Sequence, residues 1–159
     1  MQAEEAGRRI GKLTDGPADL EFVASPLGRT RETMEILRGA LGLPATQYRR
    51  DARLAELTFG KWEGLTWREV RSRDPALAAQ RERDKWNFVP PDGESYAMLL
   101  VRVAPAIAAL DRPAVVVSHG GVARVLLCAL AGMPEHEAPR ADIWQGRVLV
   151  FSDGTFRWA

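Results

Sequence analysis

Cysteine and histidine are scarce in this 159-residue chain, and no long apolar run interrupts it. The single cysteine, Cys128, cannot form an internal disulfide, so the composition favours a reducing compartment, with the cytoplasm as the default location. No segment approaches the roughly 18 apolar residues that a membrane helix needs. Lysine and arginine number 22 against 21 aspartate and glutamate, a formal net charge of +1. We therefore expect neither nucleic acid nor a membrane among the partners.

Several chemistries are excluded because their residue patterns are absent. A cysteine phosphatase needs an arginine shortly after its cysteine, but Pro134 occupies that position after Cys128. The nearest approach to a nucleotide-binding loop, from Gly7 to Lys12, is one residue too short and lies within an amphipathic pattern. No Gly-x-Ser-x-Gly elbow occurs, and the two histidines are not at metal-ligand spacing. We expect no metal site and no cofactor.

What remains is typical of a globular enzyme or binding protein. The chain is 46% hydrophobic and 27% charged, which argues against a disordered, collagen-like or coiled-coil protein. Its length suits one domain with a sizeable core. We predict a single domain over residues 1–159, with a helical excursion at about 58–93.

The order of predicted elements indicates an α/β fold. Apolar runs bounded by turn residues predict strands at 21–25, 47–54 and 114–118 and a terminal hairpin at 147–152 and 155–158. Helical periodicity predicts helices at 1–13, 29–41, after residue 93, and from the Gly120-Gly121 pair to Gly132. Alternating strands and helices favour a three-layer α/β/α sandwich on a mostly parallel sheet. The β-branched run at 114–118 predicts a strand buried on both faces.

The first predicted helix begins at the start of the chain. Ala3, Ala6, Ile10 and Leu13 follow helical spacing, but no capping residue precedes them. We expect that something upstream is absent.

Three polar residues follow predicted strands, where open α/β sheets bind ligands. Arg29 begins a helix and offers a planar fork that matches phosphate or carboxylate oxygens. His119 ends the β-branched strand and is followed by two glycines, which allow backbone amides to approach a ligand. Glu56 could donate a proton to a leaving oxygen. Together they predict an oxyanion pocket, although each alone would suit a solvated helix end, a surface carboxylate or a satisfied core histidine.

Four stretches resemble one family. They are SPLGRTRETMEIL at 25–37, RLAELTFGKWEG at 53–64, PPDGES at 90–95 and VVVSHGGVARVLL at 115–127. In this order they resemble the phosphoglycerate mutase-like histidine phosphatase superfamily, and they cover nearly the whole chain. In that family a histidine of an amino-terminal Arg-His-Gly motif attacks phosphorus and forms a phosphohistidine.

The resemblance implies a role for each residue of the predicted pocket. Arg29 would be the second phosphate-clamping arginine, and Glu56 the acid and base that serves the leaving oxygen and then water. His119 would steady the transferring phosphoryl group, with Gly120 donating a backbone amide. The substrate would be a small phosphorylated molecule, and no metal would be required.

The sequence departs from the family at one point, because it contains no Arg-His-Gly. The nucleophile, its neighbouring arginine and the first family strand are all missing, and His136 follows the wrong element to replace them. Two interpretations stay open: a phosphomonoester phosphatase whose nucleophile is missing from this chain, or a catalytically inactive protein that binds a phosphorylated ligand. Phosphoglycerate mutase activity is a further alternative, less favoured because the segment after Glu56 is short. A sheet edge left by the absent strand would invite pairing between chains, so a homodimer is also considered.

Overall fold

The computed structural model describes residues 2–159, which form six α-helices and five strands. The helices are α1 (Gln2–Leu13), α2 (Gly28–Ala40), α3 (Trp67–Arg73), α4 (Pro75–Arg83), α5 (Tyr96–Ala108) and α6 (Gly120–Ala131). The strands are β1 (Glu21–Ala24), β2 (Arg49–Arg50), β3 (Ala114–Val117), β4 (Leu149–Ser152) and β5 (Thr155–Trp158). The helix predicted from Met1 is therefore present from Gln2 onward, and Met1 itself lies outside the described residues.

Two separate sheets are present. The first has the order β2-β1-β3 and is parallel throughout, with Ala24 in register with Val117. The second is the antiparallel hairpin of β4 and β5, which turns at Asp153 and Gly154 as the sequence predicts. Because β1 and β3 are parallel and in register, their carboxyl ends lie side by side.

Helices cover both faces of the parallel sheet. On one face Phe22 and Ala24 of β1 pack with Met34 of α2 and Ile10 of α1. On the other face, Val23 packs with residues of α5 and α6. The alternation of side chains along a strand places these neighbours on opposite sides. The predicted three-layer α/β/α arrangement is confirmed.

The prediction that the 114–118 strand is buried on both faces is wrong. Each of the four residues of β3 is only partly buried, whereas Phe22, Val23 and Ala24 of β1 are fully buried. Among the described residues, β3 pairs with β1 alone. The apolar run therefore forms an edge strand, and β1 is the central one.

The strand predicted at 47–54 is also shorter than expected. Only Arg49 and Arg50 pair with β1, and the chain then turns into a 3-10 helix, Ala52–Leu54. The cause is Asp51, whose carboxylate accepts the backbone N–H of Arg53 at 3.0 Å and caps that turn. A side chain that bonds its own backbone two residues on ends a strand in this way.

The segment between Glu56 and Gly93 contains α3 and α4. Thr66 and Glu69 form a reciprocal capping box at the start of α3, and Pro75 occupies the first turn of α4. A third apolar cluster holds the segment together, centred on Trp62, Val70 and Ala78. None of the helices formed by residues 2–159 is both long and apolar enough to cross a membrane.

Candidate functional site

Two side chains that are 90 positions apart in sequence meet where β1 and β3 end. Arg29 lies in the first turn of α2, and His119 is the residue that precedes α6. The guanidinium Nη2 of Arg29 lies 3.0 Å from Nδ1 of His119. The contact is a direct result of the parallel register, because both strands lead at the same edge into the amino ends of their helices.

The other ring nitrogen of His119 faces Ser25, which follows β1. The Nε2 atom lies 2.8 Å from the Oγ of Ser25. Because a guanidinium only donates, Nδ1 must accept from Arg29, and the ring proton then resides on Nε2 and is donated to Ser25. The ring of His119 is therefore held at both ends.

The environment of His119 favours the neutral ring. Burial lowers the pKa of this histidine, and the nearby charges of Arg29 and Arg102 lower it further, whereas Glu56 acts in the opposite direction. An anion between these groups would oppose the two lowering effects of the arginines.

The carboxylate of Glu56 lies at the same edge, where two backbone amides hold it. Its Oε1 accepts the N–H of Leu57 at 2.9 Å and the N–H of Gly121 at 3.1 Å. Gly121 is the second residue of α6, so Glu56 bonds one of the amides that a helix start leaves without an intrahelical partner. A Cβ at Gly121 would collide with this carboxylate. The close approach therefore requires glycine.

Gly120, the predicted amide donor, stands between His119 and Gly121. As the first residue of α6, its N–H has no partner within the helix. The amino end of α6 also carries a partial positive charge that favours an anion. The structure thus brings Arg29, Glu56, His119 and Gly120 to one edge.

Arg102 fastens the loop that carries Glu56. Its guanidinium binds both carboxylate oxygens of Glu94, at 2.9 and 2.7 Å, and donates to the carbonyls of Arg53 at 2.7 Å and Ala55 at 3.0 Å. Bidentate pairs of this kind are geometrically strict. Glu94 belongs to the PPDGES stretch, so Arg102 links this stretch to the loop that carries Glu56.

A further arginine lies beside the amino end of α6. The Nη1 of Arg124 would lie 3.2 Å from a Cβ at Gly120, and its Nε donates to the carbonyl of Ala141 at 3.0 Å. Within residues 2–159, neither Arg29 nor Arg124 forms an ion pair with a carboxylate. Two positive charges at this edge are therefore available to an anion.

Three residues that contribute to the edge are not indicated by the sequence. They are Ser25, Arg102 and Arg124. The sequence singles out the Gly120-Gly121 pair but not the contact of Gly121 with Glu56. Ser25 and Arg124 stand inside the stretches at 25–37 and 115–127, but a serine or arginine in a helix or turn gives no signal of its own. His136, by contrast, is an exposed surface residue, with its side chain 82% accessible. No group of metal-binding side chains occurs in the described part of the chain.

Comparison with known proteins places this chain in a family. Residues 1–158 match the model of the histidine phosphatase superfamily, branch 1. The chain belongs to the histidine phosphatase superfamily.

Two relatives have names that combine a kinase and a bisphosphatase. A 6-phosphofructo-2-kinase/fructose-2,6-bisphosphatase of Arabidopsis thaliana is 34% identical over 122 residues, which are 75% of this chain and 16% of that protein. The Gallus gallus enzyme of the same name is 35% identical over 123 residues, which are 76% of this chain and 25% of that protein. The chain thus spans a quarter or less of the length of these two relatives.

Solved structures give a closer match in length. A mycobacterial glucosyl-3-phosphoglycerate phosphatase in complex with VO3 superimposes with a TM-score of 0.79 at 30% identity, covering 99% of this chain and 80% of that one. The same mycobacterial phosphatase with inorganic phosphate gives a TM-score of 0.76 at 29% identity.

Proposed function

We propose that this chain forms the phosphate-handling part of a phosphomonoester phosphatase that acts through a phosphohistidine. The observation that carries the proposal is the 3.0 Å contact between Arg29 and His119, a donor-only cation against an imidazole at the end of two parallel strands. Such a pair offers hydrogen-bond donors and positive charge to a tetrahedral dianion. The membership of the histidine phosphatase superfamily supports the same chemistry.

Each group at the edge has a distinct task in this proposal. Arg29 binds two phosphoryl oxygens with its planar fork, and the amide of Gly120 donates to an oxygen at the amino end of α6. His119, once protonated, donates from Nδ1 to the phosphoryl group as charge builds up during transfer. Phosphoryl transfer relies mainly on this positioning and charge stabilisation.

Glu56 provides the proton transfers. As an acid it would protonate the leaving oxygen, and as a base it would take a proton from the attacking water. The amides of Leu57 and Gly121 hold its carboxylate within reach of the edge. Arg102 keeps the backbone on the amino-terminal side of Glu56 in place through Arg53 and Ala55.

The nucleophile of the phosphohistidine step is, in this proposal, missing from the chain. Only two histidines occur in the sequence. His119 has both ring nitrogens engaged, by Arg29 and Ser25, and His136 is solvent-exposed beside Glu137. The same facts support the alternative of a catalytically inactive protein that binds a phosphorylated ligand.

A substrate with a second anionic group suits the site. Arg124 lies against Gly120 and has no carboxylate partner among the described residues. Arg29 likewise has no carboxylate partner there. One phosphoryl group would occupy Arg29, and a further phosphate or carboxylate of the same small molecule would bind Arg124. The related phosphatases named above carry substrate names with more than one acidic group.

Phosphate binding by the 159-residue chain is the decisive test. Isothermal titration calorimetry with inorganic phosphate should show one site per chain, and His119→Ala should lower the affinity for phosphate. If wild type fails to bind phosphate, the proposal is wrong for both the enzyme and the binding protein.

Turnover of p-nitrophenyl phosphate separates the two interpretations. We expect negligible turnover by the chain alone, and a gain when an amino-terminal segment that carries Arg-His-Gly is added. Base-stable, acid-labile labelling, the signature of a phosphohistidine, tests the mechanism. Robust activity of the unextended chain, lost in His119→Ala and without any phosphohistidine, would contradict both interpretations.

A further inference from the structure

Ser25 is the least accessible polar residue of the candidate site. Its relative exposure is 0%, and it follows β1 directly. Its backbone is fixed from two sides, because its N–H donates to the carbonyl of Val117 at 3.0 Å and its own carbonyl accepts the hydroxyl of Thr30 at 2.9 Å. The hydroxyl of Ser25 therefore has a rigid position under the ring of His119.

The two nitrogens of His119 have partners of different character. Arg29 is exposed at the start of α2, so its guanidinium can reorient toward a ligand. Ser25 cannot move in this way, because it is buried and fixed by β3 and α2. One end of the ring thus has an exchangeable partner and the other a permanent one.

We propose that Ser25 is a positioning residue, whose hydroxyl oxygen retains the Nε2–H of His119 while Nδ1 exchanges Arg29 for an oxygen of a phosphate group. The inference rests on the proposed function, since it assigns the ring atom that meets the phosphate. Nδ1 accepts a hydrogen bond while Arg29 is its partner, and it must become a donor to bind a phosphate oxygen.

This change requires one proton. When a phosphate dianion binds, Nδ1 takes up a proton from solvent, and the new N–H donates to a phosphate oxygen; a monoanion supplies that proton itself. No bond to phosphorus forms or breaks. The charged groups that face the ring are Arg29, Arg102 and Glu56. Ser25 contributes by accepting Nε2–H, a bond that is stronger for the cationic ring than for the neutral one.

The chain is well suited to a direct measurement, because it has only two histidines. Nitrogen-15 NMR of the ring atoms distinguishes protonated from unprotonated nitrogens, and His136→Gln assigns the spectrum. In wild type without phosphate, above the pH at which the ring titrates, Nε2 of His119 should be of the protonated type and Nδ1 of the unprotonated type. Saturating phosphate should convert Nδ1 to the protonated type.

Two substitutions of Ser25 isolate its hydroxyl. In Ser25→Ala, we expect the titration of His119 to move to lower pH and phosphate affinity at neutral pH to fall by about tenfold, the effect of one hydrogen bond to a charged group. Ser25→Cys preserves the packing but supplies only a weak acceptor. It should therefore behave like Ser25→Ala.

Ser118→Ala is the matched control. Its hydroxyl donates to the carbonyl of Leu54 at 2.8 Å and not to the adjacent His119. Ser118→Ala thus removes a serine hydroxyl from the residue next to His119 without removing a partner of the ring. The ring signals and the titration of His119 should therefore stay as in wild type.

The outcomes separate this inference from the proposed function. An unprotonated Nε2 in wild type, or wild-type titration of His119 in either Ser25 variant, would overturn the role of Ser25 even if phosphate binds. If both Ser25 variants fail to fold, the protonation state of Nε2 in wild type still tests the role of Ser25. Failure of wild type to bind phosphate would overturn the proposed function, while the phosphate-free titrations would still decide whether Ser25 holds the ring.

Discussion

The carboxylate of Glu56 accepts the backbone N–H of Gly121 at 3.1 Å, across 65 positions of sequence. This bond joins the loop after β2 to the first turn of α6. It brings the carboxylate to the edge where Arg29 contacts His119. The absence of a side chain at Gly121 is what makes the approach possible, because a Cβ would occupy the space of the carboxylate.

We predict that Gly121→Ala displaces Glu56 and destabilises the protein by about 1–3 kcal/mol, since it breaks a charged hydrogen bond in a packed region. Denaturant unfolding measures the loss. Gly39→Ala is the control, because a Cβ there meets nothing within 4 Å. On an α-helix that change should stabilise by about 0.5–1 kcal/mol. Equal effects of the two substitutions would show that Glu56 does not pack against Gly121.

Arg29 is predicted to dominate anion binding. Arg29→Gln should weaken inorganic phosphate binding by about ten- to a hundredfold, which corresponds to roughly 1.5–3 kcal/mol for hydrogen bonds to a charged group. Calorimetry measures the change. Arg31→Gln removes an exposed arginine of the same helix and should leave affinity within about twofold at moderate ionic strength. A comparable loss in both variants would mean that α2 attracts anions only through its general charge.

The pH dependence of anion binding should report His119. Sulfate is the appropriate probe, because it remains a dianion between about pH 5 and 8, where histidine titrates. Burial lowers the pKa of His119, and a bound dianion raises it. Affinity should therefore be highest at low pH and fall as pH rises through the pKa of the complex, with uptake of up to one proton.

Calorimetry in buffers of different ionisation enthalpy counts these protons. His119→Asn should flatten the pH profile, and a profile unchanged by this substitution would remove His119 from the anion site.

Asp51 makes a prediction for stability that does not depend on function. Hydrogen bonds from the Arg53 side chain hold the pKa of Asp51 at about 2, below its ordinary 3.8. A depressed pKa contributes stability above pH 3.8 that is lost as pH falls toward 2. Asp51→Asn should therefore destabilise at neutral pH by about 1–3 kcal/mol. The difference from wild type should shrink over that acid range, in contrast to Asp15→Asn, which alters an exposed side chain.

The meeting of Arg29 and His119 could be predicted from sequence because it follows from topology. An arginine and a histidine placed after two parallel strands must lie at one edge, whatever the details of packing. The length of β2 could not be predicted, since it is decided by the capping of one turn by Asp51. The role of Arg102 in holding the loop could not be predicted either. It donates to Glu94 and to the carbonyls of Arg53 and Ala55, and every residue has a carbonyl, so the sequence does not show which carbonyls accept.

The partial burial of β3 could not be predicted from sequence for a related reason. A β-branched run predicts a strand, but its place in the sheet depends on which other strands are available to pair. Within residues 2–159 only β1 does so. The residue types of β3 indicate that it forms a strand, but the number of strands that pair with it determines how much of it is buried.

The uncovered side of β3 affects how the protein behaves at high concentration. Within residues 2–159 the backbone of β3 pairs on one side alone, so the donors and acceptors of its other side, beside four apolar residues, form a template for self-association. The sequence pI of about 7.9 leaves little electrostatic repulsion near neutral pH to oppose it. Static light scattering should accordingly show the largest mass close to that pH, and this mass should rise with protein concentration. In mildly acidic, low-salt buffer the molecules repel one another, so the mass should be smallest there. Purification is best carried out under those conditions.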